Sequence, residues 1–275
     1  MMWAVYLNGT DLATIESYTM DVGGWLSAPT RDYPTVAIPG RQGVVFAGDP
    51  TMAPRTLRLT GVINPSSRTV ASRLADEKLM KSLAYQALAT IITDDDVNAP
   101  IAIDGVCTSC EIVPRGHPLV ATLSGVTLTF MCLDPTWRDV TAQVVGFNST
   151  PATVPTGTAP AGGIVRIAAP SWSASVTNPV LTYYNAATVS LQAMTFTGLT
   201  LTAGTDYLEI DLDRATATKY SSGTGSNAIS YLASGDFFAI DPMDGDPLNS
   251  SYPLLGCSGT AGTPSGIYLG SRRWL

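Results

Sequence analysis

The sequence predicts a mainly β protein in two parts, an α+β first part followed by an all-β second part. Three observations carry this. Apolar residues recur at every second position in segment after segment, each bounded by turn residues. A single stretch, residues 67–89, lacks Gly and Pro and is filled with helix formers. One Pro/Gly/Thr-rich run, residues 148–163, interrupts the chain near its middle.

The strands come first. Arg55-Thr56-Leu57-Arg58-Leu59-Thr60-Gly61 places Leu57 and Leu59 on one face and Thr56, Arg58 and Thr60 on the other. Val126, Leu128, Phe130 and Cys132 alternate with Thr127, Thr129 and Met131. Leu208, Ile210 and Leu212 alternate with Glu209, Asp211 and Asp213. A period of two with one apolar face belongs to half-buried strands of antiparallel sheets. The abundance of Thr and Val fits, because β-branched side chains pack well on a pleated surface.

Residues 67–89 predict a helix of about five to six turns packed on the antiparallel sheet. Ala71, Ala75, Leu79 and Leu83 fall on one stripe at i, i+4 spacing and make the expected buried face. Glu77 precedes Lys81 as a favourable i, i+4 pair, and Pro65-Ser66-Ser67 offers a turn and an N-cap hydroxyl.

The junction is placed near residue 145. Asn148 to Gly163 is too dense in Pro, Gly and Thr to hold a helix or a central strand, so it reads as a connector or edge segment. The expected domains are 1–145, α+β, and 146–275, all-β and of a size that suits a sandwich.

Composition narrows the function. Hydrophobic residues make up 45% of the 275, whereas charged residues are only 13%, about half the usual share. A surface of hydroxyls and small side chains suits a protein whose exterior is largely interface in an assembly. The net charge of −7 supplies no basic footprint for gripping nucleic acid and no polybasic segment for anionic lipid. Met1 to Gly9 shows neither the basic nor the apolar region of a secretory signal, and no apolar run of about 18 residues predicts a membrane helix. Synthesis in a cytoplasm is expected.

The residues that carry chemistry form no constellation. His117 is the only histidine and sits in a turn, Pro114-Arg115-Gly116-His117-Pro118. Cys107-Thr108-Ser109-Cys110 is a C-x-x-C, but Cys132 and Cys257 are isolated, so the second ligand pair of a structural zinc site is missing. Asp241-Pro242-Met243-Asp244-Gly245-Asp246 lacks the register and the distal Glu of a calcium loop, and Asp94-Asp95-Asp96 reads as a polar loop. Ser221-Ser222-Gly223-Thr224-Gly225-Ser226 lacks the Lys and the helix of a phosphate loop and reads as a hairpin connection. No enzyme, metal or cofactor is expected.

Taken in order, several motifs carry a resemblance. They are Pro39-Gly40-Arg41-Gln42-Gly43, the Arg55-led strand, one helix, and Phe130-Met131-Cys132-Leu133-Asp134-Pro135-Thr136-Trp137 closing the first part. In the second part they are Gly157-Thr158-Ala159-Pro160-Ala161 with the strand Gly163 to Ile167, and Gly204-Thr205-Asp206-Tyr207-Leu208-Glu209-Ile210-Asp211. In this order the chain resembles the distal tail (Dit) proteins of long-tailed phages. About the last 40 residues, among them Tyr252-Pro253-Leu254-Leu255 where the family has a closing turn, depart from the pattern of that family.

The resemblance implies a belt domain followed by a galectin-like β-sandwich, in a structural virion protein at the tail tip. It implies a homo-oligomeric, hexameric ring that joins the tail tube protein to tip or baseplate hub proteins, with DNA passing through a channel without specific binding. An acidic, cation-poor chain is compatible with such a conduit, since phosphate binding needs cations to displace counterions. The hairpin Ile38 to Gly48 is the candidate subunit contact, through Ile38, Gly40, Arg41, Val44, Val45 and Phe46. The alternative is a carbohydrate-binding, host-adhesion module, for which Trp172, Tyr183, Tyr184 and Tyr207 are the available stacking aromatics.

Overall fold

The structure is a computed structural model and describes residues 4–12, 17–23, 29–32, 34–37, 44–46, 51–65, 67–94, 100–117, 121–245 and 251–274. It is mainly β, with a single α-helix among the described residues. The chain divides into two compact units, Met1–Val140 and Thr141–Trp274. The strand Gln143–Phe147 thus belongs to the second unit.

In the first unit the strands are β1 (Ala4–Leu7), β2 (Thr10–Asp11), β3 (Ser17–Gly23), β4 (Arg31–Asp32), β5 (Thr35–Ala37), β6 (Val44–Phe46), β7 (Thr51–Met52), β8 (Arg55–Ile63), β9 (Ala89–Asp94), β10 (Ile101–Pro114), β11 (Ser124–Cys132) and β12 (Trp137–Asp139). Helix α1 (Val70–Ala84) lies between β8 and β9 in the chain. The strands follow the order β2-β1-β9-β10-β11-β8-β3, and β12 also pairs with β10. Strand β10 serves two sheets in turn: Ile101–Gly105 pair with β9, and Val106–Pro114 pair with β11. Gly105 is the corner. A Cβ there would lie 2.9 Å from Sγ of Cys132 and 3.2 Å from Cβ of Phe130, so the strand turns where a side chain would not fit.

The alternation read from the sequence holds in both long strands. Leu57, Leu59 and Ile63 of β8 and Val126, Leu128, Phe130 and Cys132 of β11 are all buried. Their neighbours Thr56, Arg58 and Met131 are exposed, and Thr60, Thr127 and Thr129 are half-buried.

The helix departs from expectation in length and in orientation. It spans 15 residues, about four turns, rather than 67–89. Arg68 takes a left-handed φ of 46°, and Thr69 is the N-cap, its side chain accepting from the N–H of Ser72 at 3.1 Å. At the other end Tyr85 leaves helical geometry, and Ala89–Asp94 is recruited into the sheet as β9. The expected stripe is also not the buried one. Ala71 and Ala75 are exposed and Leu79 is 43% exposed, whereas Arg73, Glu77, Met80, Leu83 and Ala84 face inward. Of the four predicted core positions only Leu83 is in the core. A polar pair displaced the alanine face: Arg73 and Glu77 bond to each other and to Ser124 of β11.

The second unit is a β-sandwich. Its strands are β13 (Gln143–Phe147), β14 (Ala152–Thr153), β15 (Ile164–Ala168), β16 (Val176–Thr177), β17 (Val180–Tyr184), β18 (Ser190–Phe196), β19 (Thr200–Leu201), β20 (Asp206–Asp211), β21 (Thr216–Ser221), β22 (Thr224–Asn227), β23 (Leu232–Ser234), β24 (Leu254–Ser258), β25 (Ser265–Gly270) and β26 (Arg273–Trp274). One sheet has the order β13-β25-β15-β20-β21-β22 and the other β14-β24-β17-β18-β23. Val165, Ile167, Leu208, Ile210 and Tyr268 of the first sheet meet Leu181, Tyr183, Met194, Phe196 and Leu255 of the second in one core. The family-divergent C-terminal stretch is central to both sheets. Strand β24 lies between β14 and β17, and β25 lies between β13 and β15.

Candidate functional site

One face of the sheet formed by β10, β11, β8 and β3 carries exposed Thr56, Arg58, Val106, Ser109, Glu111 and Met131. Helix α1 packs on the opposite face, where Ser124 bonds to Arg73 and Glu77. On the outer face the register sets side chains in rows. Val106 of β10 lies opposite Met131, which lies opposite Thr56. Ser109, Thr129 and Arg58 form the next row, and Glu111, Thr127 and Thr60 the third. These three rows are therefore mostly hydroxyl and methyl, with Arg58 and Glu111 in adjacent rows.

Among the described residues this sheet is also open at its ends. Strand β3 ends the strand order, and the Val106–Pro114 half of β10 pairs only with β11 among the described residues. Three successive antiparallel pairings relate β10 to β3, so the two open edges run in opposite directions. An open edge presents unpaired N–H and C=O groups and is a template for another strand.

The sequence-predicted contact hairpin is partly visible. Val44, Val45 and Phe46 form β6, paired with β5 through Ala37, Val36 and Thr35 respectively, as a two-stranded sheet of its own. Ile38, Gly40 and Arg41 lie outside the described residues.

The other candidates resolve into ordinary structure. The C-x-x-C lies within β10, where a bulge at Thr108 leaves Cys107 opposite Phe130 and Cys110 opposite Leu128. Burial raises the thiol pKa of both. His117 is exposed in the connection after β10, and its carbonyl accepts from the N–H of Ala121. Asp241 caps a single 3₁₀ turn, accepting from the N–H of Met243 at 2.9 Å, and Asp244 accepts from the hydroxyl of Tyr183 at 2.7 Å. Among the described residues no group of three or more His, Cys, Asp and Glu could hold a metal. The Ser221–Ser226 run closes the β21–β22 hairpin, with Ser222 and Gly223 both at positive φ as a tight two-residue turn requires.

Of the aromatics offered for sugar stacking, Tyr183 is buried against Phe238 with ring centroids 5.0 Å apart. Trp172 is 76% exposed in the turn closed by the Ser173 N–H donating to Pro170 O. Tyr207 lies on the outer face of the six-stranded sheet, stacked on Tyr220 at 4.8 Å. Sequence reading missed Tyr220. Its position opposite Tyr207 follows only from the tight turn that sets the register of β20 and β21.

No protein-family model matches the chain, and no curated protein does. Solved structures do. The fold is that of a Dit-like distal tail protein, an N-terminal domain with one helix among its strands followed by a β-sandwich. The crystal structure of SPP1 Dit (gp 19.1), described as a paradigm of the hub adsorption apparatus in phages infecting Gram-positive bacteria, matches with a TM-score of 0.73. The identity is 15%, and the match covers 100% of both chains. The phage P2 baseplate in its activated conformation with Ca matches at a TM-score of 0.49 and 9% identity, over 97% of this chain and 98% of that one.

Proposed function

We propose that the chain is a structural component of a phage tail tip, in which copies close into a ring that joins the tail tube to tip or baseplate proteins. The observation that supports this reading is the sheet of β10, β11, β8 and β3, which among the described residues has two unpaired edges that run in opposite directions. The β10 edge of one copy can pair antiparallel with the β3 edge of the next. Such a contact is heterologous, and a heterologous contact repeated by rotation closes into a ring. The β5–β6 pair, through Val44, Val45 and Phe46, is the second contact between copies. A hexamer is the expected count, in keeping with the family resemblance.

In that ring the exposed face of this sheet lines the channel. Its hydroxyl rows set Arg58 one row from Glu111, with Asp21 of β3 opposite Thr60, and such rows offer DNA no array of cations. Retention of a polyanion depends on releasing several counterions at once, so DNA slides past such a wall. The sandwich domain is galectin-like in this reading. The particle is assembled in the host cytoplasm, and the protein acts by shape and contact rather than by catalysis.

Immunogold labelling of intact virions tests the location: label at the distal tail end is expected, and label along the tube or on the head sinks the reading. Native mass spectrometry of the purified chain, alone and with tail tube protein, tests closure. A single closed oligomer is expected, and a monomer under both conditions argues against the ring. Val45→Asp should reduce the closed species while the monomer stays folded.

A further inference from the structure

The outer face of the six-stranded sandwich sheet carries an open cleft of about 510 Å³ beside Tyr220, on strands β21 and β22. That volume lies in the range of small-ligand sites. Its lining includes Thr216, Thr218, Tyr220, Gly225, Asn227 and Ile229, and no charged residue lines it. Along one row of the sheet Tyr207 lies opposite Tyr220, and Tyr220 lies opposite Gly225. The two rings stack at 4.8 Å and 13°. The guanidinium of Arg166 sits 5.5 Å from the Tyr207 centroid and is itself fixed by Glu209 at 2.8 Å. The platform is therefore backed on one side and left open at Gly225.

Gly225 is not demanded by its backbone, which lies outside the positive-φ set. It is demanded by the ring. A Cβ there would lie 3.0 Å from Cε1 of Tyr220 and 3.2 Å from Cγ2 of Thr218. Beside it, Asn227 uses its Oδ1 to accept from the N–H of Ile229 at 2.9 Å, which fixes the amide and turns its Nδ2 into an oriented donor.

We infer that this cleft binds a neutral saccharide. A pyranose presents an apolar C–H face and a rim of hydroxyls. The cleft supplies one aromatic ring for the face, the Ile229 side chain, and hydroxyl and amide groups for the rim. The uncharged lining disfavours phosphates, nucleotides and acidic sugars, whose charge would meet no counter-charge. The inference is independent of the ring, because the cleft lies within one copy of the sandwich.

The test is saturation-transfer NMR and titration of the full chain against neutral tri- and tetrasaccharides of glucose, galactose and N-acetylglucosamine. At least one series should bind, with transfer to its ring C–H protons. Tyr220→Ala and Gly225→Val should each weaken it by about tenfold or more, as loss of a stacking anchor does. Asn227→Asp keeps the Oδ1 cap and should weaken binding while leaving the melting temperature near wild type. Trp172→Ala should leave binding unchanged. Silence across the whole panel overturns the inference, as does binding that survives both Tyr220→Ala and Gly225→Val. Preferential binding of acidic sugars, lost at high salt, also overturns it.

Discussion

Arg73 and Glu77 stand one helical turn apart and form an ion pair at 2.9 Å with both side chains almost wholly withdrawn from water, at 3% and 11% exposure. Ser124 of β11 closes the triangle, donating to Glu77 at 2.6 Å and accepting from Arg73 at 3.1 Å. The helix is thus fastened to its sheet by a polar clasp, with Met80, Leu83 and Ala84 packed beside it. Removing one partner of a buried pair strands the other charge, which typically costs about 3–5 kcal/mol. Glu77→Ala should therefore lower the urea midpoint of the first unit sharply. The joint replacement Arg73→Met with Glu77→Leu should recover most of that loss. A Glu77→Ala protein as stable as wild type would remove the clasp from the account of stability.

The same pair explains what the sequence could and could not reveal. Strand alternation was legible in Arg55–Ile63 and Ser124–Cys132 because one face of each strand is buried and, Arg55 and Ser124 apart, apolar along most of its length. Helix orientation was not, because periodicity counts Ala71, Ala75 and Leu79 as inward while Arg73 and Glu77 neutralise each other in the core. Register hid the candidate surfaces too. The open-edged face of β8, β10 and β11 depends on the pairing of β8 with the distant β11, and the Tyr207–Tyr220 stack on the register of the β20–β21 hairpin, neither of which short motifs encode.

Asn8 is a second fastening that local reading passes over. At a φ of 52° it begins the β1–β2 turn. Its Nδ2 donates to Leu83 O at 3.0 Å, and its Oδ1 accepts from the Thr90 N–H at 2.8 Å. One side chain thereby satisfies the end of the helix and the start of β9 together. Asn8→Ala should destabilise the first unit by about 1–3 kcal/mol, from two lost hydrogen bonds and a strained φ. Hydrogen exchange should accelerate at residues 83–90 first, and uniform acceleration across the unit would contradict a local fastening.

Asp206 makes the stability of the second unit sensitive to acid. Burial by itself raises its pKa. Hydrogen bonds from the Thr202 N–H, Ser221, Lys219 and Thr205 outweigh burial and hold it well below the usual carboxylate range. A carboxyl lowered in the folded state stabilises above its unfolded pKa of about 3.9 and loses that contribution as pH falls through the folded value. Wild type should therefore lose stability steadily below about pH 4, whereas Asp206→Asn should start lower and show a flatter slope there. Thermal melts between neutral and acidic pH read this directly. Parallel curves for the two proteins would show that Asp206 is not the titrating group.

The cysteines give a chemical measure of the two cores. Burial pushes the Cys132 thiol up to about 11 and the Cys257 thiol up to about 12, so both stay protonated at pH 8 as well as shielded. Cys110 is raised too, by burial first and then by Cys107, but it is the one cysteine that remains part-exposed, and Lys81 opposes the shift. Because the thiolate is the reactive form, alkylation should proceed in the order Cys110, then Cys107, with Cys132 and Cys257 modified only on unfolding. Peptide mass spectrometry over an iodoacetamide time course at pH 8 resolves the four sites. Glu77→Ala should speed Cys132 without changing Cys257, since each thiol reports the core it sits in. Equal rates at Cys110 and Cys257 in native protein would contradict the sandwich core as described, because Cys257 is buried in that core on an inner strand of one of its sheets.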